Sequence, residues 1–201
     1  MTKEIISFDL WGTLIKSSPS YTDIKYISIL EKYSLPYSLT EIKERFVAYK
    51  KRIDCYVESY GIHPEQQLLF AGLMYDLGIK GNVNEFIKFY NNMFENYGEL
   101  IYLADVVNVL NDLSKTYDLI VVSNTVLTYG EQLVPKLGLI EKSIKEFRFS
   151  DVYKISKPSN LWGCKPILHV GDNHNTDGAS VNYGIPFLYV QNDLIKIYEN
   201  L

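Results

Sequence analysis

The chain is poor in the residues from which small scaffolds build cross-links. It has 2 cysteines among 201 residues, Cys55 and Cys164. They lie far apart and neither belongs to a CxxC pair, which excludes a disulfide framework and a thiolate zinc site and fits a reducing, cytoplasmic setting. Histidine is scarce as well, with 3 residues, and no dense Lys/Arg block occurs; 20 basic side chains face 24 acidic ones for a net charge of -4. Nucleic-acid affinity rests on neutralising phosphates with clustered basic side chains, so neither nucleic acid nor an anionic membrane surface is the expected partner. No run reaches the roughly 18 apolar residues that a membrane helix needs. The opening stretch Ile5-Ile6-Ser7-Phe8 is too short, and too soon followed by Asp9, for a secretion signal. There is no internal repeat and no low-complexity linker.

What is present is a globular composition, 47% hydrophobic and 22% charged, which can bury a core without staples in one domain or in one domain carrying an insertion. The 17 tyrosines read as amphipathic rings on half-buried helix faces, because no basic groove accompanies them to make a platform for bases.

Four apolar runs read as buried strands: Ile5 to Phe8, Leu119 to Val122, Ile167 to Val170 and Phe187 to Val190. Strands apolar on both faces and separated by helix-length segments indicate a parallel sheet covered by helices. Asp105 to Thr116, with Val106, Val109, Leu110 and Leu113 on one side, reads as a crossover helix into the second strand. Between about 20 and 98 the apolar spacing changes to the helical period. Thr22 to Pro36 reads as a first helix. Ile42, Phe46, Tyr49, Ile53, Tyr56 and Tyr60 follow a helical stripe behind a capping box of Ser38 and Glu41. His63-Pro64 to Gly78 has proline at the first turn and glycine past the end, and Val83 to Tyr97 repeats the pattern up to Gly98. The expected molecule is α/β: a core of residues 1–16 and 103–201, a four-helix insertion of 17–102, and a cleft between them.

Ligands of open α/β sheets bind at the carboxyl ends of the strands. Asp9 follows the first strand, Ser123 and Asn124 the second, and Gly171-Asp172 the third, with Asp177 just beyond; Lys157-Pro158 lies between the last two groups. Taken singly, each reads as a turn former, a helix cap or a solvated loop. Together they supply two carboxylates, a cation and a hydroxyl at one edge.

As a set these residues resemble the four-part signature of the haloacid dehalogenase-like hydrolases: Asp9-Leu10-Trp11-Gly12-Thr13, the strand ending in Ser123, Lys157 with Pro158, and Gly171-Asp172 through Asp177. The helical insertion after the first motif is similar to the family's cap. The resemblance implies a Rossmannoid three-layer sandwich with a parallel sheet, and a Mg2+-dependent phosphohydrolase acting on a small phosphorylated metabolite; a monomer or homodimer is expected. It implies Asp9 as nucleophile, and Asp9, the Trp11 backbone carbonyl and Asp172 as metal ligands. Lys157 is implied as the cation between nucleophile and phosphoryl oxygens, Ser123 and Asn124 as phosphate-binding groups, and Asp177 as the group behind the metal and lysine.

Two positions depart from that pattern. Where the family's phosphatases carry a second Asp as general acid, this chain has Trp11, which cannot transfer a proton. The interval from Lys157 to Asp172 holds Pro158, Gly163 and Pro166, leaving room for little more than one turn where relatives hold a helix. The alternatives are a catalytically silent phosphate-binding or regulatory protein and a metal-free dehalogenase. His174, inside the fourth motif, reads as a solvated loop residue.

Overall fold

The computed structural model describes residues 3–125, 127, 130–191 and 193–201. Residues 1, 2, 126, 128, 129 and 192, all within the expected core segments, lie outside it. Five parallel strands, β1 (Ile5–Phe8), β4 (Asp118–Ser123), β5 (Glu146–Phe149), β6 (Leu168–Gly171) and β7 (Phe187–Tyr189), form one sheet in the order β5-β4-β1-β6-β7. Ile6 lies opposite Leu119 and Leu168, and Phe8 opposite Val121 and Val170. The two-residue alternation of a strand puts these six side chains on one face. They pack there with α5 (Val106–Leu113), with Ile140, Leu194 and Ile197 from short 3-10 segments, and with Leu137 between two such segments. Val106, Val109, Leu110 and Leu113 are all buried, as their spacing requires.

The other face is covered thinly. Ile5, Ile120 and Val122 meet Leu161, Trp162 and Ile185, and the segment from Pro158 to Gly163 contains turns and bends but no helix. Trp162 is fully buried and fills the space a helix would take, so one large ring substitutes for the layer that the prolines forbid.

Four helices make the insertion: α1 (Pro19–Tyr33), α2 (Leu39–Tyr60), α3 (Gln66–Leu77) and α4 (Val83–Tyr97). The first begins earlier than its apolar pattern suggests because Ser18 caps it, accepting from Tyr21 N at 3.1 Å, and Pro19 starts the first turn. The capping box of α2 is formed: Ser38 N donates to Glu41 Oε2 at 2.7 Å, and Glu41 N to Ser38 Oγ at 3.2 Å. The apolar stripe of α2 drifts at its end, however. Tyr56 and Tyr60 are exposed while Val57 is buried, because the last turns project past the bundle toward the core. Tyr26, Phe46, Tyr49, Phe70, Phe86 and Tyr90 interlock in the centre of the bundle. The Tyr26–Phe46 rings are 4.9 Å apart and edge-on, as are Phe70 and Tyr90 at 5.1 Å, the arrangement ring quadrupoles favour.

Three strands are additions to the sequence reading. β2 (Ile15–Ser17) and β3 (Leu100–Tyr102) pair antiparallel, Ile15 opposite Tyr102 and Ser17 opposite Leu100, and this ribbon carries the chain out to the helices and back. The expected boundary between 16 and 17 therefore runs through β2. The third is β5, Glu-Phe-Arg-Phe, an edge strand whose alternating charges hide it from a search for apolar runs. No described helix is long and apolar enough to cross a membrane.

Candidate active site

Parallel strands deliver the residues after them to one edge. β1 ends at Phe8, so Asp9 sits there, tied by its backbone N to Val170 O at 2.8 Å; β4 ends at Ser123 and β6 at Gly171, which brings Asp172 beside it. One carboxylate oxygen from each of Asp9, Asp172 and Asp177 lies within 4.8 Å of the others. Lys157 is buried among them, its Nζ 2.6 Å from Asp9 Oδ1 and in an ion pair with Asp177 Oδ1.

Two glycines let the backbone come this close. Gly12 turns the loop at φ 83°, and a Cβ there would overlap the Asp172 carboxylate; a Cβ on Gly171 would overlap Asp177. Asp177 Oδ2 accepts from Asn173 N at 3.0 Å, and Asn173 Oδ1 in turn accepts from the backbone N–H groups of Asn175 and Thr176. Sequence reasoning missed His169, which sits in β6 as one residue of an apolar run. Its Nε2 lies 3.3 Å from Asp177 Oδ1 and its Nδ1 2.9 Å from Ser7 Oγ, so the neutral ring with its proton on Nε2 satisfies both partners. Burial holds its pKa below the ordinary value. The signal that could have found it is its alternation with Leu168 and Val170, which sends it to the opposite face together with Ser7.

Asn124 donates its side-chain N–H to Lys157 O at 3.0 Å and accepts from Lys157 N at 2.9 Å. Its amide thus holds the lysine's backbone with one N–H and its oxygen, and Asn124 also lines the cleft. Ser123 Oγ is buried and has no hydrogen-bond partner among the described residues, although the cleft passes it. His174 stacks on Tyr189 at 4.2 Å, exposed and away from the cleft.

Three carboxylates share a single cation, and their titration reflects the shortage. Burial pushes Asp9 up to about 7; Lys157 pulls against this and Asp177 adds to it. Burial and then Asp177 raise Asp172. Asp177 is held well below the ordinary carboxylate range, since Lys157 and His169 outweigh the cost of its burial. A site with this excess of buried negative charge, and with oxygens close enough to share one ion, fits a divalent cation.

The cleft above the cluster has a volume of about 300 Å³. The core contributes Asp9, Trp11, Ser123, Lys157 and Asp172; the helices contribute Lys25 from α1, Lys50, Asp54 and Glu58 from α2, and Tyr90 from α4. Trp11 is half-buried against the core, beside the open volume rather than filling it. A second contact ties the helices to the core beside Lys157. Ser156 N donates to Gly61 O at 3.0 Å, His63 N donates to Lys154 O at 3.3 Å, and Ile62 bridges to Ile155. Ser150 Oγ joins buried His63 Nδ1 at 3.0 Å to Thr125 N at 2.9 Å.

Neither a family sequence model nor a curated protein matches the chain. Solved structures do. YfnB from Bacillus subtilis, a HAD-hydrolase candidate bound to magnesium, superposes with a TM-score of 0.75 over 96% of this chain and 91% of that one at 14% identity. The chain has the haloacid dehalogenase-like fold. A predicted phosphoglycolate phosphatase from Haemophilus somnus gives 0.59 at 20% identity, with 93% and 84% of the two chains covered. A β-phosphoglucomutase candidate from Thermotoga maritima gives 0.64 at 17% identity, with 98% and 99% covered. The parallel sheet of this chain, with four helices inserted after its first strand, is the architecture expected from the motifs.

Proposed function

We propose that the chain is a Mg2+-dependent phosphohydrolase of a small phosphorylated metabolite, with Asp9 as the nucleophile. The observation that carries this reading is Lys157, buried between Asp9 and Asp177, with the Asp172 carboxylate in the same cluster. Asp9, Asp172 and the backbone carbonyl of Trp11 would hold the ion, which supplies when bound the positive charge that lets a carboxylate meet a phosphate dianion.

The chain's own groups account for the rest. Asp9 attacks phosphorus and the bond to the leaving oxygen breaks, giving an aspartyl-phosphate that water then cleaves to phosphate. Lys157 keeps one Asp9 oxygen in place and favours its charged form. Asp177, pinned by His169 and Asn173 N, keeps Lys157 in place. Ser123 Oγ, buried without a partner among the described residues, donates to a phosphoryl oxygen. The HAD-like relative that binds magnesium supports the choice of ion.

The test is a screen of small phosphate esters with Mg2+, against Mg2+ plus chelator. Turnover that needs the metal and falls at least about a thousandfold in Asp9→Asn supports the reading; metal-independent turnover contradicts it. Trp11 favours a second reading, a protein that binds phosphate without hydrolysing it, because position 11 offers no proton donor. Metal-dependent binding of phosphate with no turnover of any ester selects that one.

A further inference from the structure

Three lysines line the cleft, and two of them are already paired. Lys157 meets Asp9 and Asp177, and Lys50 meets Asp54 at 2.6 Å. Lys25 differs from both. Its ammonium lies 4.6 Å from the Tyr26 ring centroid, 5.4 Å from that of Phe46 and 5.9 Å from that of Tyr21, and no carboxylate among the described residues offsets it. Burial alone lowers its pKa, to about 8. Tyr90 lines the same wall with its hydroxyl kept protonated by burial, which makes it a further donor.

A half-buried cation without a counter-ion gives up part of its hydration, and ring faces return only some of it. The cleft gives that charge a use. Building on the phosphohydrolase reading, we propose that the substrate is a short phosphorylated acid whose carboxylate is held by Lys25 while its phosphoryl group meets Asp9. A single ammonium matches the one negative charge of a carboxylate; a second phosphate, carrying nearly two, would be left half-neutralised here. The aromatic rings beside Lys25 displace part of its water, so the pairing is stronger than it would be on an open surface.

The experiment is calorimetry, with Mg2+ present, of carboxyl-ended alkylphosphonates of two to four carbons against methyl-ended isosteres of the same lengths, neither of which can be hydrolysed. At the best-fitting length the acid should bind about tenfold tighter or more, the size of a charge-assisted hydrogen bond. Lys25→Met, which keeps the aliphatic stem against the rings, should bring acid and isostere to equal affinity. Lys25→Arg should keep the preference. Lys25→Gln serves in place of Lys25→Met if the latter does not fold.

Equal affinities in the parent at every length, a preference for an amine-ended phosphonate, a preference that survives in Lys25→Met, or no binding by either series would each overturn the subsite. An acid preference that depends on Lys25 in a protein that hydrolyses no phosphate ester would leave the subsite standing and remove the hydrolase. Hydrolysis of esters without regard to their far end would do the reverse.

Discussion

On the core wall of the cleft a lysine is buried between two carboxylates; on the helical wall another is half-buried among aromatic rings, with no carboxylate among the described residues beside it. Lys157 is compensated within the protein, and its pKa is raised by Asp177 and Asp9 in spite of burial. Lys25 is compensated by little, and burial lowers it. Lys157 itself needs no further partner, although the three carboxylates around it leave an excess of negative charge that a divalent cation would balance. On the proposed reading Lys25 finds its partner when an anion arrives, and the difference then separates a wall for chemistry from a wall for selection.

The largest expected effect comes from making the same substitution on both walls. Lys157→Met leaves three carboxylates around an uncharged side chain and should cost about 3–5 kcal/mol in denaturant unfolding of metal-free protein, the usual result of removing one partner from a buried ion pair. Lys25→Met removes a charge the fold disfavours and should change stability at neutral pH by less than about 1 kcal/mol, toward greater stability. Equal losses from the two substitutions would erase the distinction.

Trp11→Asp should come next. It returns a proton donor to the core wall and should raise turnover of alkyl phosphates by roughly 10–100-fold, the lower part of what positioned acids contribute. Turnover of p-nitrophenyl phosphate, whose leaving group needs no proton, should change much less.

Titration gives a smaller effect. The Asp9 pKa is about 7 in the metal-free fold and about 4 in the unfolded chain. Between those values the folded state holds the extra proton, so Asp9 contributes stability at low pH that is lost as pH rises through 7. His63 and His169, held below their ordinary value, act in the opposite direction over part of this range, so the comparison must be made against Asp9→Asn. Without metal, that variant should gain stability relative to the parent between pH 5 and pH 8, and Mg2+ should cancel the gain by stabilising the parent alone. A gap in thermal unfolding that does not depend on pH would mean that Asp9 is ionised throughout.

The smallest expected effect lies where the two walls meet. His63→Ala removes the hydrogen bond to Ser150 and should cost about 1 kcal/mol, seen as faster hydrogen exchange at Ser156 and Lys157 more than in a fall of melting temperature. Burial lowers His63 against the pull of Asp151, so its contribution is complete above about pH 6.5 and is lost as pH falls through its depressed pKa.

The core wall was legible in the sequence because β-strands carry their own signal: Ile5 to Phe8 stops at Asp9, the run from Leu119 stops at Ser123, and parallel pairing then fixes which residues meet. Four helices were legible from their stripes and caps, Ser38 with Glu41 most clearly. The helical wall was not. Lys25 looks like any exposed lysine until α1 packs against α2 and brings Phe46 beneath it, and Tyr90 belongs to a core stripe whether or not it faces a cleft. His169 was hidden by its apolar neighbours, and β5 by its charges. Asn124 stands where a phosphate ligand is expected, and its amide also holds the Lys157 backbone, a contact between residues distant in sequence that no local pattern reveals. The contact of His63 with Ser150 is of the same kind.

The most direct test of the account is calorimetric binding of beryllofluoride, a mimic of the phosphoryl group on a carboxylate, to the parent, Asp9→Asn and Asp172→Ala, each with and without Mg2+. Binding that requires Mg2+ is expected in the parent, none in Asp9→Asn, and much weakened binding in Asp172→Ala. Beryllofluoride binding in Asp9→Asn as tight as in the parent would contradict it.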